Sequence, residues 1–244
     1  MSCTIGGVLF TAGLVVALGA LVQGAVGYGM ALVASPLLAL LEPTLVPVPL
    51  LMLTSVHAVL AAVRDWRHAD WTGIGWATLG RLPGTGLGVL AVVALSQRVF
   101  AALVGLGVLA CVLLSLLSWR PRPRPGSLVL AGLLSGAGGT AASIGGPPIA
   151  LLYQQAAGPR VRGTISGYFV LGSVISLTAL AAAGEVTGAS MTSTAMLAPF
   201  LLAGFALSGP ARRVLDNGWT RRAVLAVAAV SAVLLVGRVV LSSG

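Results

Sequence analysis

Two glycine-rich stretches interrupt apolar segments of the chain, and both are suited to binding an anion through backbone N–H groups. The first covers residues 23–29 (QGAVGYG) and the second covers residues 135–141 (SGAGGTA). Glycine lets the backbone turn sharply and lets a ligand approach the amides directly. A helix that begins after such a break presents free N–H groups and the positive end of its dipole. Two such ends that meet inside a membrane would bind an anion without any fixed cation.

The residues predicted to bind the substrate flank these two breaks. The alternative is that the glycines only allow membrane helices to pack closely, as small residues generally do. Packing motifs rarely recur with a proline at the same distance, however, and here Pro36 and Pro148 occupy matching positions. The predicted residues are Gln23, Gly24, Gly27, Tyr28, Gly29, Met30 and Ser35 at the first break, and Gly136, Gly139, Thr140, Ser143, Gly145 and Gly146 at the second.

Arg81 is the side chain best suited to act as a counter-charge for the anion. It lies about ten residues into an apolar segment, which is on the order of 15 Å along a helix and close to mid-membrane. A charge at that depth is costly and should face a cavity or a partner. No Asp or Glu falls within a predicted span, so an anionic substrate is the natural partner. The alternative is that the helix starts late and Arg81 extends towards the lipid headgroups.

His57 is the one predicted intramembrane group that titrates near neutral pH. It follows Thr54 and Ser55 in an apolar segment, where it could relay a proton or donate a hydrogen bond to an anion. The alternative is that it only hydrogen-bonds a neighbouring helix.

Composition places the chain among membrane proteins. Hydrophobic residues make up 57% of it and charged residues 8%, and the mean hydropathy is +1.03. Apolar stretches of spanning length recur at 45–63, 71–95, 99–118, 163–183, 190–208 and 223–241, besides the two broken segments at 4–41 and 127–157. No stretch remains for a soluble catalytic domain, and we expect no enzyme activity. The two cysteines form no disulfide or metal-binding pattern, so neither a cofactor nor a metal is predicted.

The distribution of arginine predicts the topology. The net charge of +9 comes from arginine alone and suggests an orientation signal, not binding to nucleic acid. Eight simple spans would divide the arginines almost evenly between the two sides. If each broken segment returns to the side from which it entered, eleven arginines fall inside and two outside. The same count would follow from hairpins of two full spans, but residues 29–41 are short enough to favour half-spanning return arms.

This topology implies an all-α polytopic membrane protein with two inverted repeats. Each repeat has a broken, re-entrant helical hairpin followed by three transmembrane helices. The repeats are residues 1–118 and 127–244, and the arginine- and proline-rich residues 119–126 form a cytoplasmic linker. The first segment has no basic flank before it, so we expect an uncleaved first span. Both termini are then predicted to be periplasmic.

The motifs around the breaks resemble those of the TauE/SafE family of sulfite and organosulfonate exporters. The similarity covers essentially the whole chain and includes GAVGYG at residues 24–29, GAGG at 136–139 and GGPP at 145–148, with Pro83, Gly84 and Pro199 in later spans. The resemblance implies a bacterial inner-membrane permease for small sulfur-containing or carboxylate anions, usually acting in export. Tyr28 stands where many members continue a run of glycines; it would alter the size of the pocket, so the family's substrate is not carried over to this chain.

The predicted function is secondary transport of a small anion by alternating access around the two hairpin tips. Amides near residues 27–30 and 143–146 would hold the anion, and Arg81 would neutralise it. An anion channel of the same fold is the alternative. The expected partners are the substrate and the lipid bilayer. The sequence leaves open the identity of the substrate, the direction of transport, the coupling ion and the oligomeric state, including a homodimer.

Overall fold

The chain folds almost entirely into helices. The computed structural model describes residues 2–116, 121–215 and 218–241, but not the side chains of residues 2–6, 26 and 212–224. These described residues contain no strand and form ten α-helices: α1 (Ser2–Val26), α2 (Met30–Leu41), α3 (Val48–Asp65), α4 (Trp71–Ala94), α5 (Gln97–Leu116), α6 (Pro125–Ala142), α7 (Gly146–Tyr153), α8 (Gly158–Ala182), α9 (Gly188–Leu215) and α10 (Gly218–Leu241). Short 3₁₀ turns cover Pro43–Leu45 and Trp66–His68.

Six of the described segments are long and apolar enough to cross a membrane. They comprise most of α1 and five of the six predicted simple spans. The sixth, predicted at 223–241, contains the shorter apolar stretch Leu225–Leu241 of α10. The prediction of an all-α polytopic membrane protein is therefore confirmed. Of the predicted linker, residues 119 and 120 lie outside the described residues, residues 121–124 belong to no helix or strand, and α6 begins at Pro125.

The first glycine-rich stretch breaks a helix, and the arm that follows is short. Gly27 and Gly29 have φ angles of 101° and 119°, in the left-handed region that glycine enters without strain. The 12-residue helix α2 begins at Met30 directly after them. At helical rise it is about 18 Å long, well short of a hydrocarbon core of about 30 Å.

The second break is made differently. Sequence analysis attributed the turn to glycine, but the residue in the left-handed region is Ser143, with φ 61°. The Ile144 amide donates to the Gly138 carbonyl at 3.0 Å, which closes the end of α6 in the manner of a left-handed helix cap. The Ser143 hydroxyl donates to the Pro47 carbonyl at 3.3 Å. The return arm, α7, has only eight residues, about 12 Å at helical rise.

Glycine-mediated packing holds each hairpin against a helix of the other half. Helix α6 lies along α4, and α1 lies along α9. A Cβ at Gly84 of α4 would overlap the Leu133 carbonyl oxygen of α6, and one at Gly204 of α9 would overlap the Ala17 carbonyl oxygen of α1. Membrane helices approach this closely only where small residues face each other. The same type of contact occurs at Gly80, Gly88, Gly132 and Gly136.

The two ends of the molecule differ in their charged residues. We call one end the arginine-rich face, defined by Arg64, Arg67, Arg122, Arg124, Arg160 and Arg162 among the described side chains. Arg160 and Arg162 bind Asp70 and Asp65 there. The opposite face carries Glu42, Glu185, Arg98 and Arg238, and Arg238 donates to the Leu40 carbonyl at 2.8 Å. Helix α2 therefore returns to the opposite face, while α7 returns to the arginine-rich face.

Close packing of α4 on α6 predicts opposite outcomes for two glycines of the same helix. In Gly84→Ala the new methyl group should force the helices apart and destabilise the protein by about 1–3 kcal/mol. In Gly86→Ala no atom lies within 4 Å of the added Cβ, so better helix propensity should stabilise the fold by up to about 1 kcal/mol. Thermal unfolding in detergent measures both effects. Equal melting temperatures for the two variants would contradict the packing described here.

Candidate functional site

A small cavity lies between the two helix breaks. Its volume is about 30 Å³, room for roughly two water molecules. Six of the predicted site residues line it, namely Gln23, Gly29, Arg81, Gly139, Ser143 and Gly146. The rest of the lining is Ala31, Leu32, Leu51, Thr54, Ile144, Pro147, Phe169 and Ser173. The fold thus brings both breaks and the central arginine to one point, and we call this space the central cavity.

Arg81 is buried inside the protein, with 1% of its surface exposed. One guanidinium nitrogen, Nη2, donates to the Ser176 hydroxyl at 3.1 Å, and Nη1 lies 3.5 Å from the Ser135 hydroxyl. The guanidinium carbon lies 5.1 Å from the centre of the Tyr168 ring. Its Nε has no hydrogen-bond partner. The Arg81 side chain therefore does not extend towards the lipid headgroups.

The shape of helix α8 makes room for this guanidinium. A Cβ at Gly172 would overlap the guanidinium group of Arg81. One turn later, Ser176 accepts the hydrogen bond from Arg81 and also bonds the Thr140 hydroxyl of α6 at 2.7 Å. Helices α6 and α8 therefore set the position of the Arg81 side chain.

Arg81 has no counter-ion among the described residues. Asp65 and Asp70, the acids nearest to it in sequence, form ion pairs at the arginine-rich face with Arg64, Arg162 and Arg160. A buried cation without an opposite charge is costly, and a buried N–H donor without an acceptor adds to that cost. Arg81 lines the central cavity, so an anion there would offset its charge.

The first turn of α2 offers backbone donors to the cavity. Ala31 and Leu32 line the cavity, and amides in the first turn of a helix have no acceptor within that helix. The Met30 amide is already occupied, because it donates to the side-chain oxygen of Gln23 at 3.2 Å. Gln23 also lines the cavity.

The first turn of α7 is poorer in donors than sequence analysis assumed. Its second and third residues are Pro147 and Pro148, which have no N–H group. Gly146 therefore carries the only amide among the first three residues of α7. The two hairpin tips are not equivalent: the first supplies amides, while the second supplies a compact turn close to Arg81.

His57 lies one hydrogen bond from the cavity. Its side chain is completely buried, and its Nδ1 lies 3.1 Å from the side-chain nitrogen of Gln23. The other ring nitrogen, Nε2, lies 3.1 Å from the Ala20 carbonyl oxygen. The ring of Phe205 stands edge-on to it at 5.1 Å.

The remaining predicted residues surround the cavity without lining it. Gly24 lies against Ser208 of α9, and Gly136 lies against the backbone of α4 at Arg81. The Gly145 carbonyl accepts a hydrogen bond from Ser135. Thr140 bonds Ser176, Ser35 is buried within α2 with no partner for its hydroxyl, and Gly27 lies against the Arg162 side chain. Met30 is buried and contributes the amide bonded to Gln23.

The hydroxyl groups that hold Arg81 were not among the predicted site residues. Ser135 and Ser176 bond its guanidinium, and Thr54 and Ser173 line the cavity. Isolated Ser and Thr residues are common in membrane helices, so none carried a signal of its own. The one usable clue was the grouping of Ser173 and Ser176 with Gly172 in α8.

In the described parts of the chain, no three His, Cys, Asp or Glu side chains are placed to hold a metal ion.

A second, larger cavity opens near the arginine-rich face. Its volume is about 270 Å³, and its lining includes Tyr28, Pro147, Gln154 and Arg162. Pro147 lines both cavities, and the side chain of Tyr28 lies close to Gly146 of the central cavity. Tyr28 and Pro147 therefore separate the two spaces.

Polar contacts tie the two halves together at the arginine-rich face. Asp65 at the end of α3 pairs with Arg162 of α8 at 3.2 Å. Asp70 caps α4 by accepting from the Gly73 amide, and it also accepts from the Tyr153 hydroxyl at 3.0 Å and from Arg160 at 3.1 Å. Burial by itself would raise the pKa of Asp70, but these hydrogen bonds and the charge of Arg160 together lower it below its ordinary value.

Comparison with known proteins identifies one family. A family model described as "Sulfite exporter TauE/SafE" matches residues 12–235 of the chain. No curated protein and no solved structure matches.

The lowered pKa of Asp70 predicts how its contribution to stability depends on pH. Because the folded state favours the ionised carboxylate, the contribution is complete above the ordinary pKa of 3.8 and is lost as the pH falls through the lowered value. The melting temperature of Asp70→Asn should therefore fall below that of the wild type near neutral pH, and the gap should close in acid. Glu42→Gln, at a half-buried acid of the opposite face, is the control. A gap that stays constant down to acidic pH would contradict this interpretation.

Proposed function

Since the chain belongs to the sulfite exporter TauE/SafE family, we propose that it carries a small anion through the central cavity by alternating access. The family is one of membrane transporters for sulfite-type anions, so transport across a membrane is its general activity. The proposal concerns the substrate and the mechanism. The substrate is a small oxyanion, such as sulfite, an organosulfonate or a related carboxylate, bound between Arg81 and the first turn of α2.

The observation that carries this proposal is the unpaired charge of Arg81. A guanidinium that is 1% exposed, has one N–H without an acceptor and has no acid within ion-pair distance among the described residues is an incomplete ion-binding arrangement. Intramembrane charges of this kind generally face a transport path. An oxyanion would accept hydrogen bonds from Nε and from the first-turn amides of α2 at the same time.

The pairing of helices supports two repeats of opposite orientation. If α1–α5 are exchanged for α6–α10 in order, the contact of α1 with α9 becomes that of α6 with α4. The contacts of α3 with α8 and of α5 with α10 map onto themselves. The first hairpin starts from the opposite face and the second from the arginine-rich face. A pseudo-two-fold relation of this type, with a central site between broken helices, is typical of carriers that rock about the site.

The separation of the cavities favours a carrier over a channel. Tyr28 and Pro147 stand between the central cavity and the second cavity, and the pairs formed by Asp65 and Asp70 link the halves beyond them. Opening towards the arginine-rich face would move Tyr28 aside and break these pairs. By the positive-inside rule we propose that this face is cytoplasmic, which would place the start of α1 and the end of α10 on the periplasmic side of a bacterial inner membrane.

A flux assay tests the substrate class. Proteoliposomes containing the purified protein should take up or release labelled sulfite, methanesulfonate or a small carboxylate faster than empty liposomes. Electrical recording from the same protein should show no unitary currents, because a carrier moves few ions in each cycle. If no anion of this panel shows protein-dependent flux, the proposed function is wrong. Unitary currents would favour the channel.

Substitution of Arg81 tests the site. Arg81→Gln should weaken the apparent affinity for the transported anion by about tenfold to a hundredfold, because a charged hydrogen bond is lost. Its melting temperature without anion should not fall, because the variant removes a buried charge that has no counter-ion. Arg98→Gln, at the exposed opposite face, should leave the affinity unchanged. A purely structural Arg81 would give the reverse pattern, with lower stability and normal affinity.

A further inference from the structure

The hydrogen bonds of His57 determine which of its nitrogens carries the proton. Nε2 lies 3.1 Å from the Ala20 carbonyl oxygen, which can only accept a hydrogen bond. Nε2 is therefore protonated and donates to Ala20. In the neutral ring Nδ1 then has a lone pair, and it faces the side-chain nitrogen of Gln23 at 3.1 Å.

Gln23 is fixed in the same way from its other side. Its side-chain oxygen lies 3.2 Å from the Met30 amide nitrogen, and a backbone N–H can only donate. The amide oxygen must therefore point to Met30 and the NH₂ group to His57. Hydrogen bonds run from the Met30 amide to Gln23, from Gln23 to His57 and from His57 to Ala20. Every group in this chain is satisfied only while His57 is neutral.

A proton on Nδ1 would break this arrangement. The protonated ring and the NH₂ group of Gln23 would then both be donors facing each other. Rotation of the Gln23 amide by half a turn relieves the conflict, because its oxygen then accepts from His57. The same rotation turns the NH₂ group towards the Met30 amide, which loses its acceptor. Two donors then lie together at the beginning of α2, beside Gly29 at the edge of the central cavity.

We propose that Gln23 is an amide switch that couples protonation of His57 to the binding of an anion at the first turn of α2. This inference rests on the proposed function, because it assumes that the central cavity binds an anion. The anion accepts hydrogen bonds from the two donors that the switch exposes. A protonated His57 and Arg81 together carry two positive charges, which a dianion such as sulfite balances. Because coupling is reciprocal, the anion strengthens proton binding as much as the proton strengthens anion binding.

The charged groups near His57 lie on one side of it. Arg64 follows two turns later on α3, donates to the Gly24 carbonyl and lies 5.2 Å from the Phe205 ring centre. Its partner Asp65, with Arg162 of α8, lies beyond it towards the arginine-rich face. Among the described side chains that contact His57 from α1 and α9, Gln23 and Phe205 carry no charge. Gln23 is therefore the polar side chain through which protonation can act on the cavity.

Nitrogen NMR of labelled histidine tests the switch directly. The chain has two histidines, so the exposed His68 is replaced in a His68→Gln background, and the spectrum reports His57 alone. Without an anion at about pH 7, the ring should be neutral and protonated on Nε2. With saturating sulfite at the same pH, the Nδ1 signal should move to the position of a protonated nitrogen.

Replacement of Gln23 separates coupling from a structural role. Gln23→Met removes one of the two proposed donors and leaves the Met30 amide free at every pH, so sulfite should bind more weakly, measured by calorimetry, and His57 should no longer respond to it. The pH dependence of sulfite affinity, corrected for the titration of sulfite itself, should disappear in the same variant. Gln155→Met, at an exposed position, should keep both responses.

The outcomes distinguish this inference from the function on which it rests. If sulfite and the other anions of the flux panel fail to bind the wild type, the proposed function itself is wrong. If sulfite binds but the His57 signal does not move, the function stands and the switch is wrong. The switch is equally overturned if the His57 response to sulfite remains in Gln23→Met.

Discussion

The structure depends on one electrostatic constraint, a buried arginine with no acid to neutralise it among the described residues. Arg81 has one face on the Tyr168 ring, two nitrogens near serine hydroxyls and one nitrogen without an acceptor. Serine hydroxyls and an aromatic ring orient a guanidinium but do not neutralise its charge. Folding therefore leaves an electrostatic cost at the centre of the molecule, and an anion from outside would remove it. This is a natural basis for selecting anions over neutral solutes.

The close packing of glycines gives this constraint its geometry. Helix α4 carries Arg81 and lies against α6, with Gly136 contacting the backbone at Arg81. That contact places the end of α6, and hence the second break, beside the guanidinium. The Ser135 hydroxyl extends the connection, because it lies near Arg81 and donates to the Gly145 carbonyl in the turn. Movement of the second hairpin is thus linked mechanically to the arginine.

Much of this arrangement could be predicted from the sequence, because it depends on patterns that are visible in the sequence alone. The two breaks, the short return arms and the depth of Arg81 follow from glycine, segment length and hydropathy. The choice of Ser143 for the second turn could not be predicted, since a glycine stands nearby and tertiary contact with Pro47 stabilises the serine. The relation between Gln23 and His57 was equally hidden, because it joins residues from different helices. The assignment of two inverted repeats remains a prediction that the helix pairing supports.

The most direct test is the position of a bound oxyanion in an experimental structure. Selenite resembles sulfite, and its selenium scatters anomalously, so a crystal soaked with selenite locates the anion without ambiguity. We expect an anomalous peak in the central cavity, within hydrogen-bond distance of Arg81 Nε and of the first-turn amides of α2. A cavity that stays empty at saturating selenite, with peaks only at exposed arginines such as Arg160, would contradict the account.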